Sequence, residues 1–263
     1  MGLRAAHGRT LWLCLFAVLA ASAVACSCAG AALPSYSNCV AIEGPFTSAT
    51  CHHLGPPDTW AVLPFEFGPE HPNTSFEAHA MKDDVRVETT SLTAITCQGG
   101  RSDGHFAGSK EQQSVFLSFT GCRLGTHKCA SAGQGPGKIV TSPLQGVLGY
   151  LAGKGTGAPT VGLSLSAETG PLLEATCAGV GVRLTGAVVG TVTQDIDFIN
   201  KISTESFVQS AGVQEFTSFE GGAPGEQELS AEIDMGGGYQ PAGPAGLQLS
   251  ERVQWPMLAE IEA

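Results

Sequence analysis

The sequence has few positively charged residues and few aromatic residues. Lys and Arg total 13 against 24 Asp and Glu, a formal net charge of −11, and aromatic residues make up 7% of the chain. So few cations argue against a nucleic-acid-binding surface, because phosphate contacts need clustered Lys and Arg. The same acidity disfavours binding to an anionic membrane surface.

Helical spacing and catalytic motifs are also scarce. Gly or Pro interrupts nearly every window long enough to hold a helix. The 35 Gly and 15 Pro are scattered between apolar segments, which is typical of turns rather than of disorder. The sequence contains no G-x-S-x-G nucleophile motif, although its serines and histidines leave a hidden triad open. We therefore expect no cofactor, and we favour a non-enzymatic role over an enzymatic one.

The N-terminal segment has the pattern of an export signal. Arg4 and Arg9 precede an apolar run at Leu11–Ala25, which is too short to span a bilayer comfortably. We expect residues 1–25 to be a signal peptide cleaved before Cys26, with a retained membrane anchor as the alternative. Lipidation of Cys26 is a further alternative, opposed by the missing Leu three residues earlier. Cleavage would leave 11 basic and 24 acidic residues, a net charge of −13.

Cysteine usage supports export into an oxidising compartment. Of nine cysteines, one lies in the predicted signal and two lie in the ragged new N-terminus. The remaining six form an even set, which in an exported chain indicates disulfides rather than free buried thiols. We expect local pairing first, which would join Cys39 to Cys51 and Cys122 to Cys129, and leave Cys97 with Cys177.

Alternation of apolar and polar residues predicts strands throughout. Val161, Leu163 and Leu165 alternate with small polar residues, and the same period of two occurs in residues 115–120, 228–234 and 247–255. Further strands are predicted at 60–67, 84–97, 138–141, 146–151, 172–177, 180–192, 203–210, 213–219 and 257–262. About a dozen short strands separated by turns predict an all-β, single antiparallel sandwich or barrel-like domain. We place it at residues 59–263, behind a disulfide-bonded N-terminal appendage at 26–58.

Two groups of residues resemble metal sites. Cys51, His52, His53, His71 and His79 include zinc-ligating side chains, but three adjacent ligands cannot easily face one ion. A disulfide cysteine with loop histidines is the favoured interpretation, and we expect no metal.

Asp195 and Asp197 lie on one side of an extended segment, with Asn200 nearby. They would suit calcium or an acid/base pair. Calcium usually needs six or more oxygen ligands, so a solvated turn is favoured.

Two other motifs have simpler interpretations. Gly153 to Gly157 is glycine-rich and contains Lys154, but it lacks the phosphate-loop pattern and the helix that would follow. A hairpin loop is therefore favoured. Asn73-Thr74-Ser75 is a glycosylation sequon, relevant only in a eukaryotic secretory host.

Several segments together resemble a known group of proteins. They are Tyr36–Cys39 with Cys51, Phe119–Cys122, Lys128–Gln134, Ile139–Tyr150, Phe219–Gly222 and Leu258–Ala263. In order and spacing they resemble an uncharacterised group of secreted β-rich proteins that recurs in high-GC soil actinobacteria. The chain departs from that group in being less Lys-rich and in its Asp195-Ile196-Asp197 segment. The resemblance implies secretion and a bacterial envelope setting, and it transfers no activity or site residue.

Three functions remain open from the sequence. The first is a secreted or cell-envelope-associated, non-enzymatic β domain with a binding or structural role and an unidentified partner. The second is a secreted hydrolase acting on cell-wall or environmental polysaccharide through Asp195, Asp197 or Glu174. The third is a small-ligand carrier with a deep apolar cavity. Two carboxylates facing each other across a cleft would favour the hydrolase.

Overall fold

Strands account for all the regular secondary structure in the described part of the chain. The structure is a computed structural model that describes residues 33–56, 59–65, 75–81, 85–90, 92–151, 160–194, 202–216, 218–221, 228–256 and 259–262. The strands are β1 (Ser35–Val40), β2 (Ala61–Pro64), β3 (Ser75–Ala80), β4 (Val85–Thr89), β5 (Leu92–Cys97), β6 (Gly99–Phe106), β7 (Glu111–Thr120), β8 (Arg123–Leu124), β9 (His127–Ala130), β10 (Lys138–Val140), β11 (Leu144–Tyr150), β12 (Val161–Ala167), β13 (Leu173–Cys177), β14 (Val180–Thr185), β15 (Ala187–Gln194), β16 (Ile202–Phe207), β17 (Gln209–Ser210), β18 (Val213–Gln214), β19 (Ser230–Asp234), β20 (Gln240–Gln254) and β21 (Glu260–Glu262). The predicted all-β class is therefore confirmed.

Eight of these strands form a closed antiparallel barrel, here called the first barrel. Their order is β16-β15-β12-β11-β7-β6-β3-β20, and pairing of β16 with β20 closes the circle. A barrel of eight strands is just wide enough for its own side chains to fill. Leu117, Leu163 and Phe207 are among the largest fully buried side chains. The sequence left sandwich and barrel open, and the strand pairing is that of a barrel.

A second closed ring of eight strands shares β20 with the first barrel. Its order is β20-β19-β14-β13-β9-β8-β5-β4, closed by pairing of β4 with residues 245–248 of β20. The N-terminal part of β20 pairs with β19, and its C-terminal part pairs with β3 and β16. The fifteen-residue strand β20 is therefore a member of both rings, through different parts of its length.

A small sheet of β2, β1 and β21 packs against the first barrel through Tyr36. The Tyr36 ring is 1% exposed and lies 4.7 Å from the Phe106 ring and 5.6 Å from the Trp255 ring, measured between centroids. The predicted appendage at 26–58 thus includes a strand whose central aromatic side chain belongs to the core of the barrel.

Glycine explains two differences between predicted and observed strands. The predicted strand at 180–192 is two strands, because Gly186 turns the chain with a φ of 96°. A Cβ atom there would lie 2.0 Å from the Glu228 carbonyl oxygen. Strand β6 escaped prediction because its glycines hide the alternation. Gly104 of β6 faces the Phe76 ring so closely that a Cβ atom would lie 2.9 Å from it.

The disulfides correct two of the three expected pairings. Cys39–Cys51 is confirmed. The others are Cys97–Cys122 and Cys129–Cys177, with Cα–Cα distances of 3.9 and 4.2 Å. The turn after Cys122 does bring its backbone to Cys129, whose N–H donates to the Cys122 carbonyl at 3.0 Å. The sulfur of Cys122 nevertheless bonds to Cys97 at the end of β5, and that of Cys129 bonds to Cys177 at the end of β13. The predicted local pairing of Cys122 with Cys129 was therefore wrong.

Peptide mapping under non-reducing conditions tests this connectivity. Trypsin cleaves between all four cysteines of the two corrected bridges. We expect fragment 87–101 to be linked to fragment 111–123, and fragment 129–138 to fragment 155–183. Linkage of 111–123 to 129–138 would contradict the structure.

Replacement of Gly186 tests the close approach at the β14–β15 turn. Gly186→Ala should lower the free energy of unfolding by about 3 kcal/mol or more, because a positive φ and a backbone clash both oppose the added methyl group. Gly125→Ala is the matched control, since φ is 60° there and nothing lies within 4 Å of the added atom. It should cost about 1 kcal/mol. Equal losses in urea unfolding would show that the Gly186 contact is unimportant.

Candidate functional site

The described histidines of the predicted zinc group, His52, His53 and His79, do not form a zinc site with Cys51. The sulfur of Cys51 is in a disulfide, and the rings of His52 and His53 pack against each other at 5.1 Å in the N-terminal loop. His79 lies elsewhere, on β3 in the wall of the first barrel. No group of three metal-ligating side chains exists among the residues that the structure describes.

Several predicted sites fall outside the described residues. These are Cys26, His71, Asn73 of the sequon, the loop from Gly153 to Gly157, and the group of Asp195, Asp197 and Asn200. They stay predictions.

Glu174, the remaining hydrolase candidate, lies in a surface ion-pair cluster. Arg183 on β14 donates from Nε to Glu174 Oε2 at 3.0 Å and from Nη1 to Glu232 Oε2 at 3.5 Å. The guanidinium also stacks 3.7 Å from the centroid of the Tyr239 ring. Burial raises the pKa of Tyr239, and its hydrogen bond with Glu174 raises it further. Glu174 is thus part of a surface ion pair, and no second carboxylate faces it across a cleft among the described contacts.

A pair of glutamates inside the first barrel was not singled out from the sequence. Glu205 on β16 and Glu251 on β20 are direct register partners, and they are 3% and 1% exposed. Their strands carry Phe207 and Leu249 as the next inward pair. The two carboxyl groups therefore face each other across the ladder that closes the barrel, among apolar neighbours.

Few hydrogen bonds reach these two carboxyl groups. Ser102 on β6 donates to Glu251 Oε2 at 2.9 Å. Gln112 on β7 donates from Nε2 to the Tyr36 hydroxyl at 2.8 Å and, more weakly, to Glu205 Oε1 at 3.5 Å. These contacts connect the pair to β1 through Tyr36, so the small sheet and the barrel seam share one buried polar network.

Desolvation dominates the electrostatics of the pair. Burial, followed by the charge of Glu251, raises the pKa of Glu205 from 4.5 to about 8. Burial raises the pKa of Glu251 from 4.5 to about 7, against the opposing hydrogen bond from Ser102. Because no cation among the described residues compensates for the loss of water, the folded protein favours protonated carboxyl groups.

A signal for these residues does exist in the sequence. Leu247, Leu249 and Val253 on β20 and Trp255 just after it are all buried, and Glu251 is the one charged residue within that period-two series. A charged residue at a buried position is unusual and indicates that the strand has a role besides packing in the core. Which residue would lie opposite it depends on the pairing of β20 with β16, which the sequence does not show.

An apolar cavity lies at the hairpin that joins β19 to β20. Its volume is about 530 Å³, and its lining is mostly apolar. The lining consists of Ile233, Met235, Gly237, Gly238, Gln240, Pro241 and Ala242. Met235 is 84% exposed, the most exposed of the large hydrophobic residues described. The cavity, here called the hairpin cavity, is therefore an open surface site rather than a void in the core.

The loop beside the hairpin cavity is held in a defined shape. Asp234 Oδ1 accepts hydrogen bonds from the N–H groups of Gly236 and Gly238, at 2.7 and 2.8 Å. Both glycines have positive φ, which lets the chain turn tightly around the carboxylate. Met235 is thus presented from a preformed loop.

Comparison with known protein families, curated proteins and solved structures gives no match for this chain. Among the described residues, no helix has the length and hydrophobicity needed to cross a membrane. The candidate sites therefore rest on geometry alone.

The Tyr36 hydroxyl offers a test of the buried network. Tyr36→Phe removes the acceptor of the 2.8 Å bond from Gln112. It should lower the free energy of unfolding by about 1–2 kcal/mol, because a buried amide N–H loses its better partner. Tyr239→Phe, on the surface, should change it by less than about 0.5 kcal/mol. Urea unfolding of both variants makes the comparison, and a neutral Tyr36→Phe would contradict the proposed network.

Proposed function

We propose that this chain is a secreted or cell-envelope-associated, non-enzymatic binding domain that uses the hairpin cavity. The observation that carries the proposal is the exposed Met235 beside about 530 Å³ of mostly apolar surface cavity. Monomeric soluble proteins seldom expose concave apolar surface without a partner for it. An apolar ligand group or apolar side chain of a partner is the chemistry that suits this lining.

The energetics of the hairpin cavity suit modest, adaptable binding. Complete burial of a methionine side chain contributes about 1.5–3 kcal/mol. Methionine also adapts its shape to different apolar partners. The hydrogen bonds to Asp234 hold the loop before binding, so little conformational entropy is lost when a ligand enters.

The disulfides support the extracellular part of the proposal. Three bridges join all six cysteines at positions 39 to 177, and such frameworks are typical of oxidising compartments. The resemblance to secreted actinobacterial proteins points to the same setting. We propose the cell envelope or the surrounding medium as the place of action.

The two alternatives have less support. A polysaccharide hydrolase would need two free carboxylates across a cleft, whereas Glu174 is paired with Arg183 and Asp195 and Asp197 lie outside the described residues. A carrier that used the barrel interior would need empty space there, and buried leucine and phenylalanine side chains occupy it.

Binding of an uncharged apolar dye such as Nile red tests the hairpin cavity. We expect the protein to bind the dye, and Met235→Glu to weaken binding at least about tenfold, because a carboxylate would then be desolvated in the complex. Met81→Glu is the matched control, since Met81 is also exposed, at 54%, directly follows β3 of the first barrel and does not line the hairpin cavity. It should bind as the unchanged protein does.

Three results would contradict the proposal. The first is equal loss of dye binding in both methionine variants, and the second is no binding at all by the unchanged protein. The third is turnover on a panel of glycans and esters that disappears when a single acidic residue is replaced, which would make the protein an enzyme.

A further inference from the structure

The seam that closes the first barrel contains a buried pair of glutamates, which has no part in binding at the hairpin cavity. Strands β16 and β20 pair over six register positions, from Ile202 with Gln254 to Phe207 with Leu249. Outside the barrel, this ladder is stabilised by ordinary polar contacts, such as the 2.8 Å hydrogen bond between the hydroxyls of Ser206 and Ser250. Inside, two acidic side chains stand opposite each other at its centre.

No positive charge faces this pair in the described structure. None of the buried polar or charged side chains described is Lys, Arg or His. The register partner of Glu251 on β3 is Ala80, and that of Glu205 on β15 is Val192. The polar side chains that reach the carboxyl groups are Ser102 on β6 and Gln112 on β7, and Tyr36 on β1 is the only other titratable group described in the network. Arg252, the nearest basic residue in sequence, pairs with Thr204 on the outer side of the wall.

The energetic consequence depends on the protonation of the pair. Two ionised carboxylates would be buried without a counter-ion among the described residues, and the penalty for each buried charge remains large even after the surroundings relax. Like charges directly opposite across a ladder are also destabilising. Protonated carboxyl groups avoid both costs and can donate hydrogen bonds as well as accept them.

We propose that Glu205 and Glu251 form a proton-dependent latch, which keeps the β16–β20 seam closed while protons are bound and loosens it when both groups ionise. No bond is made or broken besides those to the two protons, which pass to and from solvent. The protein is thus most firmly closed in acidic surroundings, and its first barrel opens more readily as the medium becomes alkaline.

The loosening should reach β1 through the buried network. Gln112 Nε2 is shared between the Tyr36 hydroxyl and Glu205 Oε1. An ionised Glu205 attracts this donor more strongly than a neutral one does. We therefore expect ionisation to draw the Gln112 amide toward Glu205, which changes the geometry of its bond to Tyr36 in the small sheet of β1, β2 and β21.

The sign of the pH dependence follows from linkage. Both carboxyl groups have pKa values raised above 4.5 in the folded protein, so folding takes up protons between pH 4.5 and about 8. The stabilising contribution is complete below pH 4.5 and is lost as the pH rises through the folded-state values. Each extra proton held by the folded state makes the unfolding constant rise by up to about tenfold per pH unit.

Urea unfolding with the disulfides intact, measured at pH 5, 6, 7 and 8, tests the latch. We expect the urea midpoint of the unchanged protein to fall steadily as the pH rises. Glu205→Gln and Glu251→Gln should each flatten this dependence and raise the midpoint at pH 8. Glu111→Gln, at an exposed position on β7, is the matched control and should keep the full dependence. The difference between variants removes the contributions of all other groups, which these proteins share.

Infrared spectroscopy of the folded protein gives a second measurement that does not require the variants to be stable. The unchanged protein should show the carbonyl band of a protonated, buried carboxylic acid at pH 6, and lose it at pH 9. Hydrogen exchange of the β16 and β20 amides should accelerate over the same range, by more than the amides at exposed sites of the same protein do.

Three outcomes would overturn the latch. The first is a urea midpoint that stays constant or rises between pH 5 and pH 8. The second is an undiminished pH dependence in the double variant Glu205→Gln, Glu251→Gln. The third is stabilisation at pH 8 by calcium or magnesium that the double variant lacks, which would make the pair a cation site.

Discussion

The hydrogen-bond ladders along β20 are the constraint on which the rest of the structure depends. This strand pairs with β19 and β4 in one ring and with β3 and β16 in the other. Both rings close only through β20, so pairing with this one strand leaves neither ring with an open sheet edge. A change in the register of β20 by one residue would turn every inward side chain of both seams to the outside.

The two candidate sites lie at opposite parts of that strand and differ in physical character. Near its N-terminal end, Pro241 and Ala242 line an open apolar cavity with Met235. Near its C-terminal end, Glu251 is buried against Glu205 and receives one hydrogen bond from Ser102. The hairpin cavity would gain free energy when a ligand covers its apolar surface. The glutamate pair would gain it when its carboxyl groups stay protonated. Because both sites include residues of β20, the seam of the first barrel and the hairpin are connected by one continuous strand.

Strand-rich segments with clear alternation could be predicted well. Residues 161–166 and 228–234 were expected to be strands, and they lie within or around β12 and β19. Prediction failed where glycine obscures the pattern, as in β6, or where a turn divides one apolar run, as at Gly186. The hairpin cavity was not predicted, because its lining comes from an exposed loop whose composition resembles that of any turn. The buried glutamates could have been noticed from Glu251 alone, but their pairing could not.

The sequence by itself determined the all-β class and the set of six cysteines that form bridges, because both follow from local properties: the period of two and the residue type. Tertiary structure alone decided that Cys97 joins Cys122, that Cys129 joins Cys177, and that Glu205 faces Glu251. Alternation tells which face of a strand a residue occupies, but not which strand lies beside it. Partners are chosen when the rings close, by hydrogen-bond register between segments far apart in the chain.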